Sequence, residues 1–208
     1  MAENRGVKVW LCPLDEYTFA YDVQVLADDA TVGEYMDALD EFQAATLADC
    51  YGCDGCCHER VPLTWPDYFL AGQPGDPADW LMLVGELDFW GEAVDLTLRR
   101  KPNGACHLLD EDAKCCSAHQ VRTFTCRTHC CLPKTDRAEA LRAAVINAGE
   151  DELVRRMLAG AVRPWADRLA GVDAADYAPN GFTNAGADWR SARLAELVEP
   201  ELWAQIRE

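Results

Sequence analysis

No stretch of this 208-residue chain approaches the ~18–20 consecutive apolar residues that a bilayer-crossing helix needs, so no membrane partner is expected. Basic residues are scarce: 19 Lys and Arg stand against 36 Asp and Glu, for a net charge of −17. Nucleic acid and anionic lipid attract proteins through clustered cations and counterion release, so neither is expected as a partner. Met1 to Gly6 lead into apolar residues interrupted by Lys8 and closed by Asp15 and Glu16, too short and too broken for a signal peptide. Cys12 follows bulky Trp10 and Leu11, where a lipoprotein site would have small residues. A reducing cytoplasm is the expected location. There is no glycine-rich nucleotide loop, no convincing serine or cysteine nucleophile arrangement and no repeat. Residues 132–208 contain neither cysteine nor histidine.

An even cysteine count is also missing. Eleven thiols cannot pair completely within one chain, and ten of them fall in residues 50–57 and 106–131 instead of being spread as a disulfide framework. A chain of this length buries a hydrophobic core without staples. Clustering of this kind points to metal ligation.

The expected fold is α+β, predominantly helical, a single domain over 1–208 with short β-hairpins and a cysteine-rich metal-binding centre. Its parts are an N-terminal hairpin and helix (1–49), a cysteine core (50–131) and a helical cover (132–208). Residues 7–11 and 18–26 are rich in β-branched and aromatic residues and form the first hairpin. Thr31 to Glu34 has the form of a capping box, and Val32, Tyr35, Met36, Leu39 and Phe42 recur at helical spacing, so a helix runs toward Cys50. Thr64 caps a short helix ending near Gly72, and residues 72–79 form a loop. Trp80 to Phe89 reads as another short helix. Val94, Leu96 and Leu98 alternate as a strand, and Pro102-Asn103-Gly104 turns it into a hairpin that carries Cys106 on the return strand. A helical stretch is expected from Cys115-Cys116 through Arg122. Helices resume after Thr135, with a kink or stop at Pro164, a mixed loop over Ala174 to Asp188, and a last helical region from Trp189 to Ile206 interrupted at Pro200.

Cys50, Cys53 and Cys56 repeat the Cys-x-x-Cys spacing twice, by which one loop can wrap three corners of a cubane cluster. A tetrahedral zinc more often takes one such pair from each of two loops. Adjacent side chains in an extended loop point different ways, so Cys57 implies either a sharp bend or a second metal centre. The doublets Cys115-Cys116 and Cys130-Cys131 raise the same alternative. His58, His107, His119 and His129 all lie in these segments, and at least one is expected near a metal as ligand or as an outer hydrogen-bond donor.

The run Cys50-x-x-Cys53-x-x-Cys56-Cys57, then Cys106-His107-Leu108-Leu109-Asp110, Cys116, Cys126-Arg127 and Cys131, resembles the zinc- or iron-chelating family named for its CxxCxxCC motif. The resemblance covers about residues 50–131. Arg122 and Arg127 match family positions, whereas His119 stands where tyrosine is usual and Thr123 where proline is usual. The family includes flagellin lysine N-methylases. The resemblance implies a metal set of Cys50, Cys53, Cys56, Cys57, Cys106, Cys116, Cys126 and Cys131, enough for two four-cysteine centres or for one cluster plus a zinc. It implies a [4Fe-4S] cluster with S-adenosylmethionine as co-substrate, zinc being the alternative metal. Arg122 and Arg127 are the cofactor-binding candidates, as neutralisers of cluster charge or partners of a substrate carboxylate. A small-molecule or protein substrate belongs to the enzymatic reading. Cys12, Cys115 and Cys130 fall outside the pattern.

Overall fold

The computed structural model describes residues 6–47, 52–73, 75–91, 93–161, 165 and 167–208. Cys50 and Pro164 lie outside the described residues, and with them the expectations that concern them. The chain is α+β, with helices joined to small antiparallel hairpins. Contacts group it into two compact units whose limits differ from the successive segments 1–49, 50–131 and 132–208. Unit 1 comprises 1–48, 127–148 and 180–208, and unit 2 comprises 49–126 and 149–179. Among the described residues no helix is long and apolar enough to cross a membrane.

Unit 1 is built on the expected hairpin, β1 (Val7–Pro13) antiparallel to β2 (Phe19–Val25), with Val7 opposite Val25 and Leu11 opposite Tyr21. Helix α1 (Val32–Thr46) starts with the expected capping box: the Thr31 N–H donates to the Glu34 carboxylate at 2.9 Å, and the Glu34 N–H donates to Thr31 Oγ1 at 3.3 Å. Val32, Tyr35, Met36, Leu39 and Phe42, the residues with helical spacing, are all buried.

Unit 2 carries the cysteine segments. Helix α2 (Trp65–Leu70) is capped at Thr64 with Pro66 in its first turn, as expected. The helix expected over Trp80–Phe89 is corrected by the structure: α3 (Pro77–Val84), capped by Asp76, stops at Gly85, and the chain continues as strand β3 (Gly85–Trp90). The reason is period: Leu87 alternates with Glu86 and Asp88, and Leu87 lies opposite Leu96 on β4 (Ala93–Leu98). The hairpin partner of β4 is therefore the strand before it. The return strand expected after Gly104 is reduced to one antiparallel bridge, Arg100 to Cys106.

Cys115-Cys116, expected to begin a helical stretch, form a two-residue strand β6 (Cys115–Cys116) paired with β5 (Leu109–Asp110). The Asp110 carboxylate accepts from the N–H groups of Asp112 and Ala113, which closes the turn, and Lys114 takes a left-handed φ of 47° on the way back. Only His119–Val121 and then α4 (Phe124–Arg127) are helical before residue 130. Helix α5 (Asp136–Arg156) follows, its first part in unit 1 and its last turns in unit 2. The mixed loop of Ala174–Asp188 includes a short helix, α6 (Gly181–Ala185), and the last helical region consists of two 3-10 turns, Trp189–Ser191 and Leu194–Glu196, followed by α7 (Pro200–Arg207). Proline there sits at the helix start, where its missing N–H costs nothing.

Candidate metal centre

Within unit 2 the Cys57 thiol lies within electrostatic reach of Cys56, Cys106 and Cys116, and the Cys126 thiol within reach of Cys56 and Cys106. They arrive from four stretches of chain. Cys56 and Cys57 ride on the tight 3-10 turn Gly55–His58, whose geometry supplies the bend that adjacent cysteines require. The Cys106 N–H donates to the Cys57 carbonyl at 2.7 Å, which ties the turn to the segment after β4. That segment is shaped by Gly104, whose φ of 84° suits only glycine, and by the Lys101 N–H donating to the Ala105 carbonyl at 2.7 Å. Cys116 is delivered by the β5–β6 pairing, opposite Leu109. Cys126 lies on α4, where its N–H donates to Thr123 Oγ1 at 3.3 Å.

The electrostatics record this convergence. Burial, followed by the neighbouring thiols of Cys56, Cys106 and Cys116, pushes the Cys57 thiol up to about 12. Cys126 is likewise pushed up to about 12, by burial first and then against a lowering hydrogen bond from Thr123, with Asp67, Cys56 and Cys106 adding repulsion. Cys106 is raised by burial, against a backbone N–H from Leu108 and the nearby Lys101 cation. In a site of this kind each thiolate is costly alone, and a cation among them favours all of them at once.

No disulfide joins any two of the ten described cysteines. Among the described residues, no three His, Cys, Asp or Glu side chains stand close enough together to hold a metal ion. Thiols are soft donors, and the described residues alone form no closed ligand cage.

The other sequence candidates are distributed as follows. Cys53 is exposed in the turn before Cys56, next to Gly52 with its φ of 77°. Cys131 is exposed and belongs to unit 1, beside the buried Cys130, whose thiol is pushed up to about 12 by burial and by Cys131. Arg127 also belongs to unit 1, where its guanidinium pairs with Asp40 at 2.8 Å and its carbonyl accepts from the Gln43 amide at 2.7 Å. Arg122 keeps a buried Nε from which no group among the described residues accepts. Of the histidines, His107 is oriented by its Nδ1, 3.0 Å from the Arg99 carbonyl. A carbonyl only accepts, so Nδ1 carries the hydrogen and Nε2 is left with a lone pair. His58 Nε2 lies 3.9 Å from the Asp54 carboxylate.

No family model, curated protein or solved structure matches this chain. The likeness to the CxxCxxCC family thus rests on the spacing of cysteines and arginines alone.

Two residues that matter here are not singled out by the cysteine pattern. Lys101, whose ammonium donates to the Leu109 carbonyl at 2.7 Å, is the cation beside Cys106. Asp67 is a buried carboxylate that reaches α4. Its only signal in the sequence is its place three residues after the Thr64 cap.

Proposed function

We propose that this chain binds a metal centre through its unit 2 thiols, with a [4Fe-4S] cluster as the occupant and zinc as the alternative. The observation that carries the reading is the backbone bond from the Cys106 N–H to the Cys57 carbonyl, with Cys56, Cys106 and Cys116 acting electrostatically on Cys57, and Cys56 and Cys106 on Cys126. Burying several thiols together raises the cost of ionising each, which a bound cation reverses. Cys50 and Cys53 join the set through the Cys-x-x-Cys repeat. The backbone bonds of the Cys57–Cys106 contact and the β5–β6 pair hold three of the donors without help from a ligand. Lys101 offsets negative charge beside Cys106. A bound cluster supplies electron-transfer chemistry and, where one iron lacks a thiolate, a Lewis-acid position.

The enzymatic form of this reading is an S-adenosylmethionine-using, N-methylase-like activity, which the resemblance alone supports. The other form is a non-catalytic zinc or iron module for delivery, sensing or electron transfer. Anaerobic purification followed by iron, zinc and acid-labile sulfide analysis tests the proposal. A brown protein with iron and sulfide in equal amounts is expected. Zinc without sulfide replaces the cluster with the alternative metal, and a metal-free protein that takes up neither overturns the reading.

A further inference from the structure

Asp67 is 2% exposed, and its two carboxylate oxygens serve two different helices. Oδ2 accepts from the Thr64 N–H at 2.7 Å and from the Thr64 hydroxyl at 3.0 Å, closing the cap of α2. Oδ1 accepts from the N–H of Phe124, the first residue of α4. A helix cap needs only the first oxygen. The second reaches 57 residues along the chain to the four-residue helix that carries Cys126.

A helix this short cannot hold itself in water, since its nucleation cost is not recovered by its own hydrogen bonds. Its position is set from outside. Phe124 is fully buried and tied to Asp67, and the Thr125 hydroxyl donates to the Pro62 carbonyl at 2.9 Å. We infer that Asp67 is the positioning residue for Cys126, holding the start of α4 so that this thiol meets Cys56 and Cys106. The inference deepens the proposed metal centre and rests on that reading for its function, though the placement of Cys126 is a property of the protein with or without metal. An aspartate suits the role: its short side chain keeps both oxygens between α2 and α4, where a glutamate would push one of them past Phe124.

Asp67→Asn keeps the shape but turns one acceptor into a donor, setting N–H against N–H at Phe124 or at Thr64. In the metal-free protein, alkylation of Cys126 by iodoacetamide, read by mass spectrometry, is expected to accelerate at least about tenfold, the order of one hydrogen bond to a charged group. Cys106, held by the Cys57 carbonyl, keeps its rate and serves as the internal reference. Asp67→Glu retains a carboxylate for the α2 cap and is expected to shift Cys126 in the same direction, so it decides the matter if Asp67→Asn does not fold. Hydrogen exchange of the Phe124 amide in the wild-type protein, expected to be as slow as that of core amides, decides it if neither variant folds. Protein reconstituted without oxygen is expected to lose metal to a chelator faster in both variants. Unchanged Cys126 rates in the folded variants, or a fast-exchanging Phe124 amide, overturn the inference. A wild-type protein that takes up no metal overturns the metal reading and leaves the Cys126 comparison to judge Asp67.

Discussion

The backbone N–H of Cys106 donates to the carbonyl oxygen of Cys57 at 2.7 Å. One peptide-to-peptide bond thus joins the two cysteine segments, 49 positions apart in sequence, and does so without using either thiol. The thiols of Cys56 and Cys116 act electrostatically on Cys57 as well.

Replacing Cys57 by serine should lower bound metal per chain, because it removes a thiolate at the centre of the group and leaves the Cys106 tether, a backbone bond, in place. Cys12→Ser should leave metal content at the wild-type value. Cys12 is on β1 of unit 1, beside Asp22 and Arg137. Metal analysis of the two purified variants checks the contrast.

Removing the metal should leave thiols that react in a set order. The thiolate is the nucleophile, so Cys57 and Cys126, both pushed up to about 12, should alkylate slowly at pH 7, while exposed Cys53 is modified first. Raising the pH by one unit should speed Cys126 about tenfold while the pH stays below its pKa. Time-resolved mass spectrometry of the metal-free protein reads both effects, and bound metal should suppress them.

In unit 1 the Asp22 carboxylate pairs with Arg137 and accepts from the Thr135 hydroxyl at 2.7 Å. Burial alone would raise its pKa, but these partners outweigh burial and hold it below the usual carboxylate range. A depressed folded-state pKa means stability that is fully present above the unfolded value, ~3.9, and is lost as the pH falls through the folded value. Asp22→Asn should therefore cost about 1–3 kcal/mol at pH 7 and less at a pH below the unfolded value. Urea unfolding at the two pH values measures the difference.

Gly85→Ala should destabilise unit 2 although the glycine has an ordinary negative φ. A Cβ there would stand 2.7 Å from the Leu81 carbonyl and 3.3 Å from the Trp165 ring, at the point where α3 becomes β3. Backbone on one side cannot yield as a side-chain tip can, so a loss of about 1–3 kcal/mol is expected from thermal unfolding.

Local signals carried the N-terminal half of the reading. The capping box at Thr31 and Glu34, the helical spacing from Val32 to Phe42 and the β-branched and aromatic runs of β1 and β2 each depend on near neighbours, and each appears as expected. The same holds for Thr64 at the start of α2 and for the α+β class. Errors arose where a run was too short for its period to be read. Trp80 to Phe89 merges a helix that ends at Gly85 with a strand, and Cys115-Cys116 forms a strand of two residues that no periodicity can announce.

The residues themselves determined that thiols and imidazoles crowd two segments, that the chain is strongly acidic, and that no apolar run spans a bilayer. Those are properties of composition and spacing. Tertiary structure alone decided which thiols come near one another, paired Arg127 with Asp40, and brought Lys101 near Cys106 and Asp67 near Cys126. Such pairings come from hydrogen bonds between residues dozens of positions apart, Cys106 to Cys57 and Phe124 to Asp67, whose closure depends on how β4, α2 and α4 pack and not on any local pattern.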